Sequence, residues 1–425
     1  KSNIMTECCE LFYDKTRKFY NNLDSNLNLL GFNNGIYDLS TDEFREGRPE
    51  DYVTMSTNIN FMPYDKNSKE NRDIQQFLYE ILTIPEVKDY VIKLMSTFLS
   101  GSTKSEKFHV WSGSGGNGKS KLIELLELSL GDYAGKLNIS NLTQKRGNAG
   151  SANPELARTK GKRFINMQEP DEHCKLNVGL MKELTGGDKI IARALYKEPV
   201  EFKPQFKMVL TCNDKPELPP DDEGTWRRVV LVEYSSKFRH DPIGSWYNSE
   251  NVQITLEEHV ENNKFKVGGD YWVPDSKENP QFPIDESLNL KFNDWAEPFM
   301  SLLIDVYKNN KHTDLKEPDQ VKEYIKKYKE QNEHFKEFMN DCIVINNESD
   351  KIIRIEEMYN LYKSWYKDSY AQSKTYKTKN EFKIFMDKNY QDFCVTDKKY
   401  TKTGFRGLCI INKNIEEVEV DDDLN

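Results

Sequence analysis

Residues 113–120 read Gly-Ser-Gly-Gly-Asn-Gly-Lys-Ser. The spacing is G-x-x-x-x-G-K-[ST], the loop with which nucleotide hydrolases hold phosphate. Phe108-His109-Val110-Trp111-Ser112 before it suits a short buried strand. The run after it, dense in Leu122, Ile123, Leu125 and Leu126, suits a helix. Strand, glycine loop and helix are the context the motif needs. Gly113, Gly115, Gly116 and Gly118 let backbone N–H groups, with those of Ser114 and Asn117, close around phosphate oxygens. The helix N-terminus adds partial positive charge. Lys119 is placed to reach the β- and γ-phosphates of ATP, and Ser120 to hold Mg²⁺. The bland alternative, a glycine-rich turn ahead of a core helix, does not call for the Lys-Ser pair.

The 425 residues exceed one compact core, so two to four domains are expected. Charged residues make up 31% and hydrophobic ones 37%, a polar composition. No run of uncharged apolar residues is long enough to span a bilayer, so no membrane association is expected. The start, Lys-Ser-Asn-Ile-Met-Thr-Glu-Cys-Cys-Glu, has no signal-peptide core, and the chain reads as part of a longer protein. Seven scattered cysteines without a C-x-x-C pair argue against a disulfide framework or a zinc ribbon, and for a reducing intracellular compartment. The net charge of −10 disfavours nucleic acid at face value, but the charge is segregated. Residues 351–410 hold 13 Lys and Arg against 7 Asp and Glu, while residues 414–425 form an acidic tail with the character of a solvated end.

Residues 1–70 carry strand and turn signals over 26–64, as in Asn33-Asn34-Gly35 before Ile36-Tyr37-Asp38-Leu39, and again at Asp51-Tyr52-Val53-Thr54. They are expected to form an α+β module. Residues 71–104 read as two helices, near 71–83 and 86–100, in a collar-like segment. Residues 105–310 alternate apolar runs with helical stretches and form the α/β core with a helical lid. Within them, 241–285 look irregular. Residues 311–413 suggest helices closed by a hairpin, a small winged-helix-like domain.

A phosphate loop alone fits a kinase, a GTPase or a motor, and the downstream residues discriminate. Lys162–Glu169 is a short strand with an acid at its C-terminal end, where ligand chemistry sits in open α/β sheets. Glu169 there can hold Mg²⁺ or polarise the attacking water, or it can be a surface acid after an edge strand. Phe206–Asn213 is a second strand ending in an amide, and Asn213 can contact the γ-phosphate or simply cap the strand. In Gly224-Thr225-Trp226-Arg227-Arg228 two arginines stand directly before an apolar strand. One can act as an arginine finger on a neighbour's nucleotide, or the pair can be structural and bind Asp221 or Asp222. Between Glu169 and Asn213, Lys182–Lys203 reads as a helix, a Gly-Gly break and a strand pair turning near Tyr196-Lys197-Glu198. A charged hairpin inserted in such a core suits DNA contact, with Lys197 at the tip beside Lys189, Arg193 and Lys203; the alternative is plain solvated surface.

The order G-x-x-x-x-G-K-S, strand ending in Glu, K-E-L-T-G-G-D-x-I-x-A-R, strand ending T-x-N, G-T-W-R-R resembles the superfamily 3 helicases. It resembles most the helicase part of the primase-helicases of poxviruses and other nucleocytoplasmic large DNA viruses. Leu30–Leu39 and Pro49–Tyr52 resemble that family's module before the ATPase. The likeness is good over about residues 20–240. It implies an AAA+ motor, a homo-hexameric ring around single-stranded DNA that uses ATP and Mg²⁺, moves 3′-to-5′ and opens forked duplex. A primase would lie upstream of Lys1. In a viral setting the site of action would be replication sites in the host cytoplasm. Asn213 would be the sensor, and Arg228, directly before its strand, the finger in preference to Arg227. Many members end the first strand with two acids. Here Gln168 precedes Glu169, which leaves the metal and base work to Glu169 alone or shared with Asp171. Two other readings compete: a P-loop ATPase that loads or packages DNA, and a small-molecule phosphotransferase.

Overall fold

The structure is a computed structural model that describes residues 19, 22–143, 152–168, 175–219, 222–240, 246–247, 253–254, 281–331, 333–346, 349, 351–369, 376, 378–397 and 402–411. Glu169, Asp171, Asp221, most of 241–285 and the acidic tail 414–425 lie outside these residues. The chain divides into two compact units between Tyr328 and Lys329.

The first unit begins with a three-stranded antiparallel meander, β1 (Leu29–Phe32), β2 (Gly35–Asp38) and β3 (Glu43–Arg45). The strand signal at 51–54 produces no strand. Tyr52 takes a left-handed φ of 52°, and the Thr54 N–H donates to the Asp24 carboxylate at 2.7 Å, so it cannot serve a ladder. Two helices follow, α1 (Lys69–Ile81) and α2 (Pro85–Thr97). The Ser68 hydroxyl caps α1 by accepting from the Asn71 N–H, and Pro85 opens α2 where a missing N–H costs nothing. Phe77 of α1 meets Phe292 and Trp295, both at 5.7 Å between ring centroids. The two helices therefore share one core with the sheet.

The central sheet is wholly parallel. Its strands are β4 (Phe108–Ser112), β5 (Ala134–Lys136), β6 (Phe164–Gln168), β9 (Lys207–Cys212) and β10 (Val229–Glu233), in the order β10-β4-β9-β6-β5. In chain terms this is fifth, first, fourth, third, second. Every residue of β4 and β9 is buried, as expected for strands covered on both faces. Helix α3 (Lys119–Leu130) follows β4. Helix α4 (Val178–Thr185) precedes an antiparallel hairpin, β7 (Ile190–Ala192) with β8 (Val200–Phe202), inserted between β6 and β9. Beyond β10, β11 (Lys237–Arg239) runs parallel to β14 (Gln281–Pro283), and β12 (Trp246–Tyr247) pairs with β13 (Gln253–Ile254). Helix α5 (Leu288–Asn310) then packs on α1, α2 and α3.

Helix α6 (Asp319–Gln331) differs from expectation, which began the C-terminal domain at residue 311. Its Val321, Tyr324 and Tyr328 are buried in the first unit's core. The Tyr328 ring lies edge-on to Trp226 at 5.4 Å, and its hydroxyl donates to the Pro216 carbonyl.

The second unit runs α7 (His334–Cys342), β15 (Ile343–Ile345), β16 (Ile352–Arg354), α8 (Ile355–Ser369), α9 (Lys379–Asn389), β17 (Cys394–Asp397), β18 (Lys402–Arg406) and β19 (Leu408–Ile410). β16, β18 and β17 form one antiparallel sheet, and β15 pairs with β19. Its core is aromatic, with Tyr362 stacked on Phe382 at 5.7 Å and Phe335 and Phe338 edge-on around them. Among the described residues, no helix is long and apolar enough to cross a membrane.

Candidate active site

The glycine loop leaves the C-terminal end of β4 and enters α3 at the point where the strand order reverses, β10 on one side and β9 on the other. Such a switch point opens a crevice for ligand. Gly116 and Gly118 sit at φ 75° and 82°, a region that L side chains avoid. A Cβ on Gly118 would stand 2.6 Å from a side-chain carbon of Ile81, at the end of α1, so the loop is moulded against that helix. The loop is tied from several elements. The Gly113 N–H donates to the Cys212 carbonyl at 3.2 Å. The buried Asn117 amide donates to the Ser114 carbonyl at 2.7 Å and the Tyr234 carbonyl at 3.4 Å. The Phe238 N–H donates to the Gly116 carbonyl at 2.7 Å, and the Lys237 ammonium reaches the Ser114 hydroxyl and, at 3.2 Å, the Gly115 carbonyl. Lys119 is buried beneath the loop, its ammonium on the Gly113 carbonyl, while Ser120 is exposed.

Register brings the other expected residues to this edge. Ser112 pairs with Cys212, and Thr211 with Gln168. Asn213 therefore stands next to Gly113, exposed, one residue past β9. Glu169 directly follows Gln168 and lies outside the described residues.

The two arginines are at the opposite, N-terminal end of the strands. Val229 pairs with Phe108, and the Phe108 N–H donates to the Arg228 carbonyl at 2.8 Å. Arg228 is turned inward: its side chain is 10% exposed, donating to Glu106 at 2.7 Å and to the Gly224 carbonyl at 3.0 Å. Arg227 is 66% exposed and only 3.6 Å from the same carboxylate. Neither arginine takes Asp222, which instead accepts from Lys182 at 2.6 Å and caps the helical turn Glu223–Trp226 through Thr225. Those hydrogen bonds hold the Asp222 carboxyl below its usual range. A five-residue strand spans roughly 16 Å, so the arginines stand at least that far from the loop of their own subunit.

On the hairpin, Ile190 and Phe202 face the core. Lys189 is engaged with Glu201 at 2.9 Å. Arg193, Lys197 and Lys203 are exposed. The structure thus separates the expected site residues into three places: the loop and Asn213 at the C-terminal ends of the strands, the arginines at the N-terminal ends, and cations on the hairpin. Glu106, Lys237 and Ile81 were not legible as site residues, because no local motif marks them and only the fold brings them to the loop or the arginines.

Residues 1–83 match the family described as D5 N terminal like, and residues 111–228 match a family of unknown function (DUF5906). The chain is 38% identical, over 87% of its length, to the "Putative helicase L207/L206" of Acanthamoeba polyphaga mimivirus, and covers 36% of that protein. It is 28% identical, over 86%, to the "Putative helicase 184R" of Invertebrate iridescent virus 6, covering 37% of it. It is also 28% identical, over 63%, to the "Putative primase C962R" of African swine fever virus, covering 29% of it. The chain thus spans about a third of the length of these relatives. The apo NrS-1 C-terminal region aligns over 82% of this chain and 77% of its own, at a TM-score of 0.43 and 13% identity, a level that fixes no fold. By sequence, the chain is similar over most of its length to large-DNA-virus proteins that carry these helicase and primase names.

Proposed function

We propose that this chain is the ATP-hydrolysing motor of a replicative DNA helicase, an AAA+ protein of superfamily 3 acting as a homo-hexameric ring that moves 3′-to-5′ on single-stranded DNA. One observation carries the reading: a phosphate loop and an arginine pair stand at opposite strand ends of one parallel sheet, with a cationic hairpin inserted between β6 and β9. An arginine roughly 16 Å or more from its own loop can serve a nucleotide only in a neighbouring subunit. That requirement favours a closed ring over a monomeric phosphotransferase. The strand order, fifth-first-fourth-third-second, supports the AAA+ assignment.

The loop suits a triphosphate. Gly116 and Gly118 take left-handed angles, Ser114, Gly115 and Gly116 are exposed, and α3 presents its N-terminus. ATP would bind with its phosphates over residues 113–120 and against Lys119. Mg²⁺ would be held by the Ser120 hydroxyl and by Glu169, since the described residues hold no cluster of three acid, His or Cys side chains able to bind it alone. When bound, the metal offsets phosphate charge. Asn213 orients the attacking water or contacts the terminal phosphate. Of the two arginines, we assign the trans role to Arg227, which is exposed, rather than to Arg228, which Glu106 and Gly224 hold inward. Lys197, Arg193 and Lys203 contact DNA phosphates, and Lys189 contributes less because Glu201 offsets it. In the second unit, helices closed by the β17–β18 hairpin support the winged-helix-like reading.

The test is ATP turnover with and without single-stranded DNA, together with unwinding of a forked duplex and the mass of the assembled particle. Lys119→Ala should lose ATP hydrolysis. Near-wild-type turnover in that variant, or a particle that stays monomeric with nucleotide and DNA, overturns the proposal.

A further inference from the structure

The hairpin tip is more apolar than a phosphate-binding device requires. Ile191 is 63% exposed and Leu195 60%, and Tyr196 is fully exposed. Scattered single apolar residues on a surface need no explanation, but three within six positions form a patch. The turn displays the tyrosine at a cost. The Lys197 N–H donates to the Ala194 carbonyl at 3.3 Å, closing a four-residue turn, and Tyr196 occupies its third position at φ 58°. Glycine or asparagine suits that position, and an aromatic residue there is strained. Among the described residues no packing repays this, because the ring is not buried.

The charge at the tip is modest. With Lys189 engaged by Glu201, Arg193 and Lys197 stand against Glu198. Electrostatics alone therefore leave each hairpin a small net attraction for a phosphate chain. A flat ring with cations on both sides matches a single strand, which offers unstacked base faces between its phosphates.

We infer that Tyr196 is a base-stacking residue: its ring packs on an exposed base of single-stranded nucleic acid while Arg193 and Lys197 pair with the flanking phosphates. This rests on the reading of the hairpin as the DNA-contacting element. It adds a second kind of contact, one that depends on bases and not on salt. Phosphate contacts release counterions and steepen the salt dependence of binding, by about 0.7 in log–log slope per contact on single strands, whereas stacking leaves that slope alone.

The experiment measures binding of the full chain to three fluorescently labelled strands of equal length, oligo-dT, oligo-dA and an abasic backbone, across a salt series. Tyr196→Ala should weaken binding to both base-bearing strands by roughly 5- to 150-fold, the range of one lost stack. It should leave abasic binding and the salt slope unchanged, and Tyr196→Phe should restore affinity. Lys197→Ala should instead weaken all three strands and flatten the slope. If Tyr196→Ala binds oligo-dT and oligo-dA as wild type does while Lys197→Ala flattens the slope, the stacking role is overturned and the hairpin reading stands. If neither variant changes anything, the hairpin reading fails as well. If Tyr196→Ala weakens base-bearing and abasic strands equally, the ring serves a contact between subunits, and stacking is again overturned.

Discussion

Replacing each arginine of the pair in turn separates a structural role from a trans-acting one. Arg228 donates to Glu106 at 2.7 Å and to the Gly224 carbonyl at 3.0 Å, with its side chain only 10% exposed. Hydrogen bonds to charged groups contribute about 1.5–3 kcal/mol each, less when one partner reaches water. Glu106 is 40% exposed and resolvates when its partner is lost, so Arg228→Ala should cost about 2 kcal/mol in all. At about 2 °C per kcal/mol, the lower end for large units, the melting midpoint should fall by roughly 4 °C. Arg227 is 66% exposed and 3.6 Å from the same carboxylate, a pairing of at most about 0.5 kcal/mol, so Arg227→Ala should melt within about 1 °C of wild type. Activity should sort the other way. A lost arginine finger costs roughly three to five orders of magnitude in turnover, so Arg227→Ala should bind ATP and scarcely hydrolyse it. Phosphate release and thermal melting on the two variants give the comparison. Mixing Arg227→Ala with Lys119→Ala subunits sharpens it, because some interfaces then join an intact Arg227 to an intact Lys119 site and should regain turnover. If Arg228→Ala abolishes turnover without lowering the melting point, and Arg227→Ala turns over normally, then Glu106 releases Arg228 in the assembly and our assignment is reversed.

The loop, its strand and its helix were readable because they are contiguous: a single stretch, 108–130, holds the apolar run, the glycines and the amphipathic helix. The hairpin was readable for the same reason, as Gly186-Gly187 marks the break and Ile190 and Phe202 mark the inward face. What eluded the sequence is non-local. Asp51–Thr54 looks like a strand, but Asp24 takes the Thr54 N–H from thirty residues away. Helix α6 looks like the start of a new domain until the contact of Tyr328 with Trp226 and Pro216 is seen. The arginine pair shows the limit best. Position directly before a strand favoured Arg228, yet which of two adjacent side chains points outward depends on Glu106, more than a hundred residues earlier and itself held at a left-handed φ of 52°. No periodicity in residues 224–232 reports that carboxylate.

Two further perturbations probe the loop and the sheet beneath it. Gly118→Ala places a Cβ at φ 82° and 2.6 Å from Ile81, so it should lower the melting point and, if the loop gives way to relieve the strain, weaken ATP binding by roughly 5- to 30-fold, the equivalent of the about 1–2 kcal/mol that the left-handed angle costs. Gly115→Ala meets nothing within 4 Å and should melt as wild type does; equal melting of the two variants would refute the packing of α1 on the loop. His109 supplies a pH test. It is buried in β4, its Nδ1 has no hydrogen-bond partner among the described residues, and burial, with Lys107 and Lys207 nearby, pushes its pKa down to about 3. The folded imidazole is neutral, whereas the unfolded one takes a proton below about pH 6.5. Its contribution is therefore complete above about 6.5 and is lost as pH falls toward about 3, at up to about 1.4 kcal/mol per pH unit, or about 2 kcal/mol by pH 5. Glu80 opposes this, because burial raises its carboxyl to about 7 and its protonation favours the fold as pH falls. The raw stability curve therefore mixes the two, and the informative quantity is the difference between wild type and His109→Gln from pH 7 to 5. That difference should move against wild type by about 2 kcal/mol, since only His109 is absent from the variant. A difference that stays flat over this range would mean that the imidazole is solvated or charged in the folded sheet, and the burial of β4 on both faces would have to be abandoned.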